Sequence, residues 1–300
     1  MKKYILALIL FLAALSQFAY AQRDFKTEFK TLFNKNDLAG QEKVLKSWEK
    51  SKPDDPELFI AYFNFYLNKS RTETLSLTAT PKSKDALKMT KEDDETSVAY
   101  LGSQETFERK DFDKAIEYIS RGIEKFPNRL DMRFGKTAAF GKIEDYQKYT
   151  DEIVKAIDYS NINKNQWLWL EGKPLSDGKT FMLKTVQAYI VQVVDANEDT
   201  EYIKTIAETI LKYYPDSVEN LSNLAVYYLF KEDYANALIH LQKAEKLAPT
   251  DPVILGNIAW SYYSKGDRIN ALKYYELLLK YGDEDAKNQA KEKIAELKSK

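Results

Sequence analysis

A 34-residue pattern recurs between Val218 and Asp283, and it constrains this chain more than any other feature. Its first copy reads VENLSNLAVYYLFKEDYANALIHLQKAEKLAPTD, and the second begins at Pro252. Laid over each other without a gap, Asn223 falls on Asn257, Ala225 on Ala259, Tyr228 on Tyr262, Asp233 on Asp267 and Ala237 on Ala271. A repeat of this period predicts stacked helical hairpins, because one hairpin cannot bury its apolar face alone and its neighbours must cover it.

The frame runs backwards through the chain. A unit starting at Lys184 places Ile190, Ile203, Ala207, Ile210 and Pro215. One starting at Leu130 places Phe140, Tyr149, Ile153 and Ala156, and one starting at Thr96 places Ala115, Ile119, Gly122 and Pro127. A unit from Gln22 places Leu45, Trp48 and Pro53, and one opening at Pro56 carries Phe59, Tyr62, Phe63 and Tyr66 on an apolar face. Position 16 is Asp37, Asp111, Asp145, Asp199, Asp233 and Asp267 in six of the seven units. An aspartate there predicts an N-cap on the second helix of each hairpin, accepting from its free N–H groups. The unit from Pro56 has Arg71 instead and a polar stretch, Thr72 to Lys84, making it 40 residues long.

These repeats resemble the tetratricopeptide repeat (TPR) family. Leu221, Leu224 and Tyr228 are the bulky set of the first helix, Ala225, Ala237 and Ala244 the small set, Leu241 the large residue of the second helix, and Pro249 ends the unit. The fold expected is an all-α solenoid of about seven such hairpins. Divergent ones occupy 22–95, two occupy 96–163 and three occupy 184–283. Residues 164–183 form an insert rich in turn residues (Gly172, Pro174, Gly178), and 284–300 form a capping helix with Ala286, Ala290, Ile294 and Leu297 on one side. The resemblance implies a right-handed superhelix whose concave groove, lined by the first helices, holds a partner, often a peptide.

Residues 1–21 are expected to be a cleaved export signal. Lys2 and Lys3 precede an apolar run from Ile5 to Leu15, and Ala19-Tyr20-Ala21 fits a small-x-small cleavage site that leaves Gln22 first. The apolar run is short of the roughly 20 residues that span a bilayer. The mature chain is expected to be soluble, in the periplasm or outside the cell, with no stable membrane insertion.

Catalytic chemistry has little to work with. The chain has no cysteine and one histidine, His240, so thiolate sites and most zinc sites are absent. Gly135 and Gly141-Lys142 approach a phosphate-loop pattern, but the glycine spacing is one too long and Ile143 stands where a hydroxyl should follow. A net charge of −1 gives no nucleic-acid footprint. The expectation is a non-enzymatic protein-binding module without cofactor or metal. The alternative is a small-molecule or glycan binder that uses aromatic side chains.

The family's partner-facing positions, 2, 5, 9 and 12, fall on Glu219, Ser222, Val226 and Leu229 in one repeat and Val253, Gly256, Trp260 and Tyr263 in the next. Trp260 and Tyr263, one turn apart, form either an aromatic hot spot or a packing surface for the C-terminal helix. Asn223 and Asn257 match one asparagine of the carboxylate clamp known in the family. Val226 and Trp260 occupy the place of the second, so that clamp is not expected. In the insert, Trp167 and Trp169 would share a face of an extended segment, either anchoring it or contacting a ligand.

Overall fold

The computed structural model describes residues 23–80, 86–91, 94–196 and 199–299. The export signal expected at 1–21 lies outside them. The helical-repeat architecture is as expected, with thirteen helices among the described residues. The chain divides into two compact units, one ending at Phe126 and the other beginning at Pro127.

The first unit holds α1 (Phe25–Asn34), α2 (Leu38–Ser51), α3 (Pro56–Ser70) and α4 (Arg109–Lys125). Phe25, Phe29, Leu45, Trp48, Leu58 and Phe65 make its core, with Phe25 stacked on Trp48. Between α3 and α4 lies an antiparallel sheet of β1 (Arg71–Thr78), β2 (Leu87–Lys91) and β3 (Asp94–Phe107), in the order β1-β3-β2.

That sheet revises the repeat frame. From Thr96 the frame calls for a first helix, and the chain instead runs as a strand. The positions matched from Pro56 belong to a first helix, and Ala115, Ile119 and Gly122, matched from Thr96, belong to a second that ends just before Pro127. They are two halves of one hairpin. Phe59 meets Phe126, Tyr62 stacks on Tyr118 at 4.1 Å, and Lys69 pairs with Asp111 at 3.0 Å, an antiparallel α3–α4 register. The described residues therefore hold six hairpins and a terminal helix, where the frame counted seven hairpins.

The second unit runs through α5 (Leu130–Lys142), α6 (Tyr146–Ile162), α7 (Gly178–Asp195), α8 (Glu201–Tyr213), α9 (Val218–Phe230), α10 (Tyr234–Leu247), α11 (Pro252–Ser264), α12 (Arg268–Tyr281) and α13 (Glu284–Ser299). Fully buried Ala225, Ala237, Ala259 and Ala271 let paired helices approach, and Leu241, Leu255 and Ile258 fill the space beside them. Ala290 and Leu297 of α13 close the end of this core. The insert 164–183 is partly helix, since α7 starts at Gly178. The rest is a small hairpin of β4 (Leu168–Trp169) and β5 (Lys173–Pro174). Only glycine fits at 178, where an added Cβ would overlap the Asn165 carbonyl oxygen.

One turn recurs in four hairpins. Asn36, Glu144, Glu232 and Gly266 take a left-handed conformation, with φ of 53°, 57°, 57° and 77°. The next residue is the position-16 aspartate. Its N–H donates back to the first helix (Asp37 to Leu32, Asp145 to Phe140, Asp233 to Tyr228, Asp267 to Tyr262), at 2.9–3.0 Å. Its carboxylate accepts from the second helix three residues on, at Gly40, Lys148, Asn236 and Asn270. One residue thus ends one helix and starts the next. Bonds from Asn236 and Asn270 hold Asp233 and Asp267 below the usual carboxylate range. Asp199 accepts from Glu201 N–H at the start of α8. Asp111 departs from the pattern: it lies inside α4, and Glu108 is the cap.

Candidate partner-binding groove

The site builds from the face of α11 that turns away from α10. Its N-cap, Asp251, accepts from Val253 and Ile254, and Pro252 occupies the first turn, where its missing N–H is harmless. Ile254, Leu255, Ile258 and Ala259 face the core. The remaining stripe, Val253, Gly256, Asn257 and Trp260, lines a cavity of about 300 Å³. Tyr275 and Leu278 of α12 also line it, as do Ala286 and Gln289 of α13. Gly256 leaves the floor open, since an added Cβ would only touch Leu278 at 3.6 Å.

Trp260 is 42% exposed at this cavity and Val253 is 64% exposed. The Trp260 ring stacks on Tyr263 with centroids 5.5 Å apart and an angle of 22°. Lys293 of α13 stands over both rings, 4.4 Å from the Tyr263 centroid and 5.8 Å from that of Trp260. The Tyr263 hydroxyl donates to Glu296 at 2.6 Å, and Lys293 pairs with Glu296 at 3.1 Å. That bond raises the Lys293 ammonium above its ordinary value. Burial pushes Tyr275 up to about 12, so it stays neutral. The result is a stacked aromatic pair braced by an ion pair, with Trp260 left partly open to solvent. Trp260 thus meets α13 through Lys293 and still keeps 42% of its surface exposed.

Of the residues expected to line a groove, the cavity takes Asn257 and Trp260, with Tyr263 behind them. It does not take Ser222, Val226 or Leu229. These lie half-buried on α9, and Leu229 packs against the repeat core. Asn223 is engaged inside the protein, where it and Gln187 of α7 exchange two side-chain hydrogen bonds, at 2.7 and 3.3 Å. Its amide ties two first helices together. The α12 and α13 residues of the cavity were missed, because the frame treated 284–300 as a lid over the core and not as one wall of a cleft.

The insert tryptophans face inward. Trp167 is 1% exposed, tilted against Tyr159, with the Arg133 guanidinium 4.4 Å from Tyr159 and 5.8 Å from Trp167. Trp169 meets Phe134 and Phe181. A ring as buried as Trp167 offers no ligand surface, so it anchors the β4–β5 hairpin. His240 lies flat on Tyr228 with its charged form disfavoured by burial. Gly141 sits where Tyr149 approaches within 3.0 Å of an added Cβ, a helix-packing position. Among the described residues no cluster of three or more histidine or acidic residues could hold a metal, and no helix is long and apolar enough to cross a membrane.

Comparison with known proteins agrees over α9–α12. The tetratricopeptide repeat model matches residues 218–251 and 253–281. No curated protein matches the chain. Among solved structures, YrrB, described as a TPR protein with an unusual peptide-binding site, is 14% identical, with 83% of this chain and 97% of that chain covered and a TM-score of 0.39. PilW, a type IV pilus biogenesis factor, is 10% identical over 89% of this chain and 99% of that one, TM-score 0.39. A thermophilic TPR protein of Thermus thermophilus is 16% identical over 63% of this chain and 91% of that one, TM-score 0.35. The hairpins α9–α10 and α11–α12 are tetratricopeptide repeats.

Proposed function

We propose that this chain is a non-enzymatic interaction module that seats a protein or peptide segment in the α11–α13 cleft. The observation that carries the reading is the half-exposed Trp260, stacked on Tyr263 and braced by Lys293, at the mouth of a cavity of about 300 Å³. Tryptophan and tyrosine are among the residue types that most often anchor an interface once a partner covers them. The cavity suits one apolar or aromatic side chain of the partner. The basic n-region, apolar run and small-x-small site of residues 1–21 support delivery to the cell envelope or outside the cell.

Crosslinked pull-down from the native host, with wild-type protein and two variants, tests this. Trp260→Ala removes the exposed ring, and Gly256→Leu fills the cavity while leaving the ring. Each is expected to reduce capture of the same partner by roughly tenfold or more. Capture unchanged in both variants sinks the reading. Saturable tryptophan quenching by a sugar panel, lost in Trp260→Ala, would turn it toward a glycan ligand. Mass spectrometry of the N-terminus checks export, with a chain starting at Gln22 expected.

A further inference from the structure

The inserted sheet has one polar and one apolar face. Side chains alternate along each strand, and the register aligns Leu77 with Leu101 and Leu87 with Leu101 in one row across all three strands. Leu75 and Met89 flank that row on the same face. The opposite face carries Thr74, Ser76 and Thr78, with Tyr100 and Gln104. A leucine face of this kind normally lies against a core. Here Leu75, Leu77, Leu87 and Met89 are 78%, 63%, 67% and 49% exposed.

We propose that this face is a self-association surface, on which a second copy of the chain packs its own sheet face to face. The area favours that occupant. Those four side chains expose on the order of 500 Å², in the upper part of the roughly 300–600 Å² that a monomer's largest apolar patch reaches. Two copies covering each other would remove roughly 1,000 Å², the lower bound of a specific interface. A second copy presents the same apolar row, so a two-fold contact would set apolar side chains against apolar side chains. The patch carries no charge among its leucines, and sheets stack readily with apolar faces about 10 Å apart. Charge at the base of the same face argues against a lipid surface. Glu73 stands opposite Glu105 on this face, and Arg71 is bonded to Glu105 at 3.0 Å. Two carboxylates against one guanidinium there disfavour the anionic headgroups that usually help peripheral proteins bind.

Sedimentation velocity from about 5 to 500 μM tests the idea, since an interface of this size is expected to be micromolar. Wild type should shift from monomer to dimer. Leu77→Lys and Leu87→Thr should raise the dissociation constant at least roughly tenfold. Ser76→Lys, on the polar face, should leave it unchanged. Both apolar-face positions are exposed, and circular dichroism confirms that the variants stay folded. The chain has no cysteine, so a single one reports cleanly. A flexible bismaleimide spans sheets packed about 10 Å apart, so it should crosslink Leu101→Cys, at the row's centre, into a dimer and leave Ser76→Cys monomeric. A wild type that stays monomeric throughout overturns the proposal, as does a dimer that Leu77→Lys leaves intact. Vesicle binding lost in Leu77→Lys, with no dimer, overturns it in favour of a lipid surface.

Discussion

The hairpin α11–α12 and the hairpin α3–α4 solve the same problem by different means. Both must bring the end of one helix to the start of the next and satisfy the free groups there. In α11–α12 three residues suffice: Lys265 ends the first helix, Gly266 takes the left-handed conformation and Asp267 caps the second. In α3–α4 the chain leaves at Ser70 and returns at Glu108 after a whole sheet. The β1–β3 ladder pairs Arg71 with Phe107, and the Glu108 N–H donates to the Ser70 carbonyl at 2.7 Å. Glu108 then caps α4 by accepting from Lys110 and Asp111, both at 2.9 Å. The hairpin therefore needs closure and a cap, and is indifferent to how many residues supply them.

If so, the two regions differ sharply in what their leucines do. Leu241→Ala, in the repeat core at 0% exposure, is expected to destabilise by about 2–5 kcal/mol through lost burial and a cavity. Leu75→Ala, on the open sheet, should stay within about 0.5 kcal/mol when measured at a concentration where the chain is monomeric. Urea unfolding of both checks this. Equal losses would mean that the sheet belongs to a core.

A harsher test removes the sheet. Replacing residues 71–107 by Asn-Asp, the turn of α1–α2, should leave the helical first unit folded. The loss should be no more than about 2 kcal/mol, because closing a short loop costs less chain entropy than closing a long one. Circular dichroism with a cooperative urea transition is the readout. A variant without a cooperative transition would show that the sheet is a folding element and not a decoration.

What was legible follows from this contrast. The α9–α12 repeats show in the sequence because their alanines, bulky residues and aspartates recur at a fixed spacing set by helix packing. The sheet was obscured because the same frame ran through it. The alternation of R-T-E-T-L-S-L-T is a period-2 strand signal. It was outweighed by Ala115, Ile119 and Gly122, which fit the frame because α4 is a true second helix. At the site, Trp260 was visible as a partner-facing position. Its surroundings were not, since Tyr275, Leu278 and Gln289 reach it only through the packing of α12 and α13.

Position 16 offers a finer test, because Asp111 matched the pattern without holding the role. Asp37→Ala should cost about 1 kcal/mol, the usual value of an N-cap. Glu108→Ala should cost a similar amount. Asp111→Ala should change stability by only a few tenths, since it loses one partly exposed pair with Lys69. Thermal unfolding of the three variants orders them. A large loss at Asp111 would return the cap to the repeat frame.

A last pair of variants concerns the residue before the aspartate. Glu232 and Gly266 hold the same left-handed place in successive repeats, at φ of 57° and 77°. A side chain in that conformation carries roughly 1–2 kcal/mol of strain that glycine avoids, and glycine in turn loses more freedom on folding. The two terms nearly offset, with strain the larger. Glu232→Gly is therefore expected to stabilise by about 0.5 kcal/mol, and Gly266→Ala to destabilise by about 1 kcal/mol. Nothing lies within 4 Å of an added Cβ at 266, so the second value isolates backbone strain from any clash. Urea unfolding of both variants reads the signs. Opposite signs at two matched turns would identify the left-handed residue as part of what joins these helices. No comparable change is expected on placing glycine at Ser70 or Arg71, where the ladder makes the turn unnecessary.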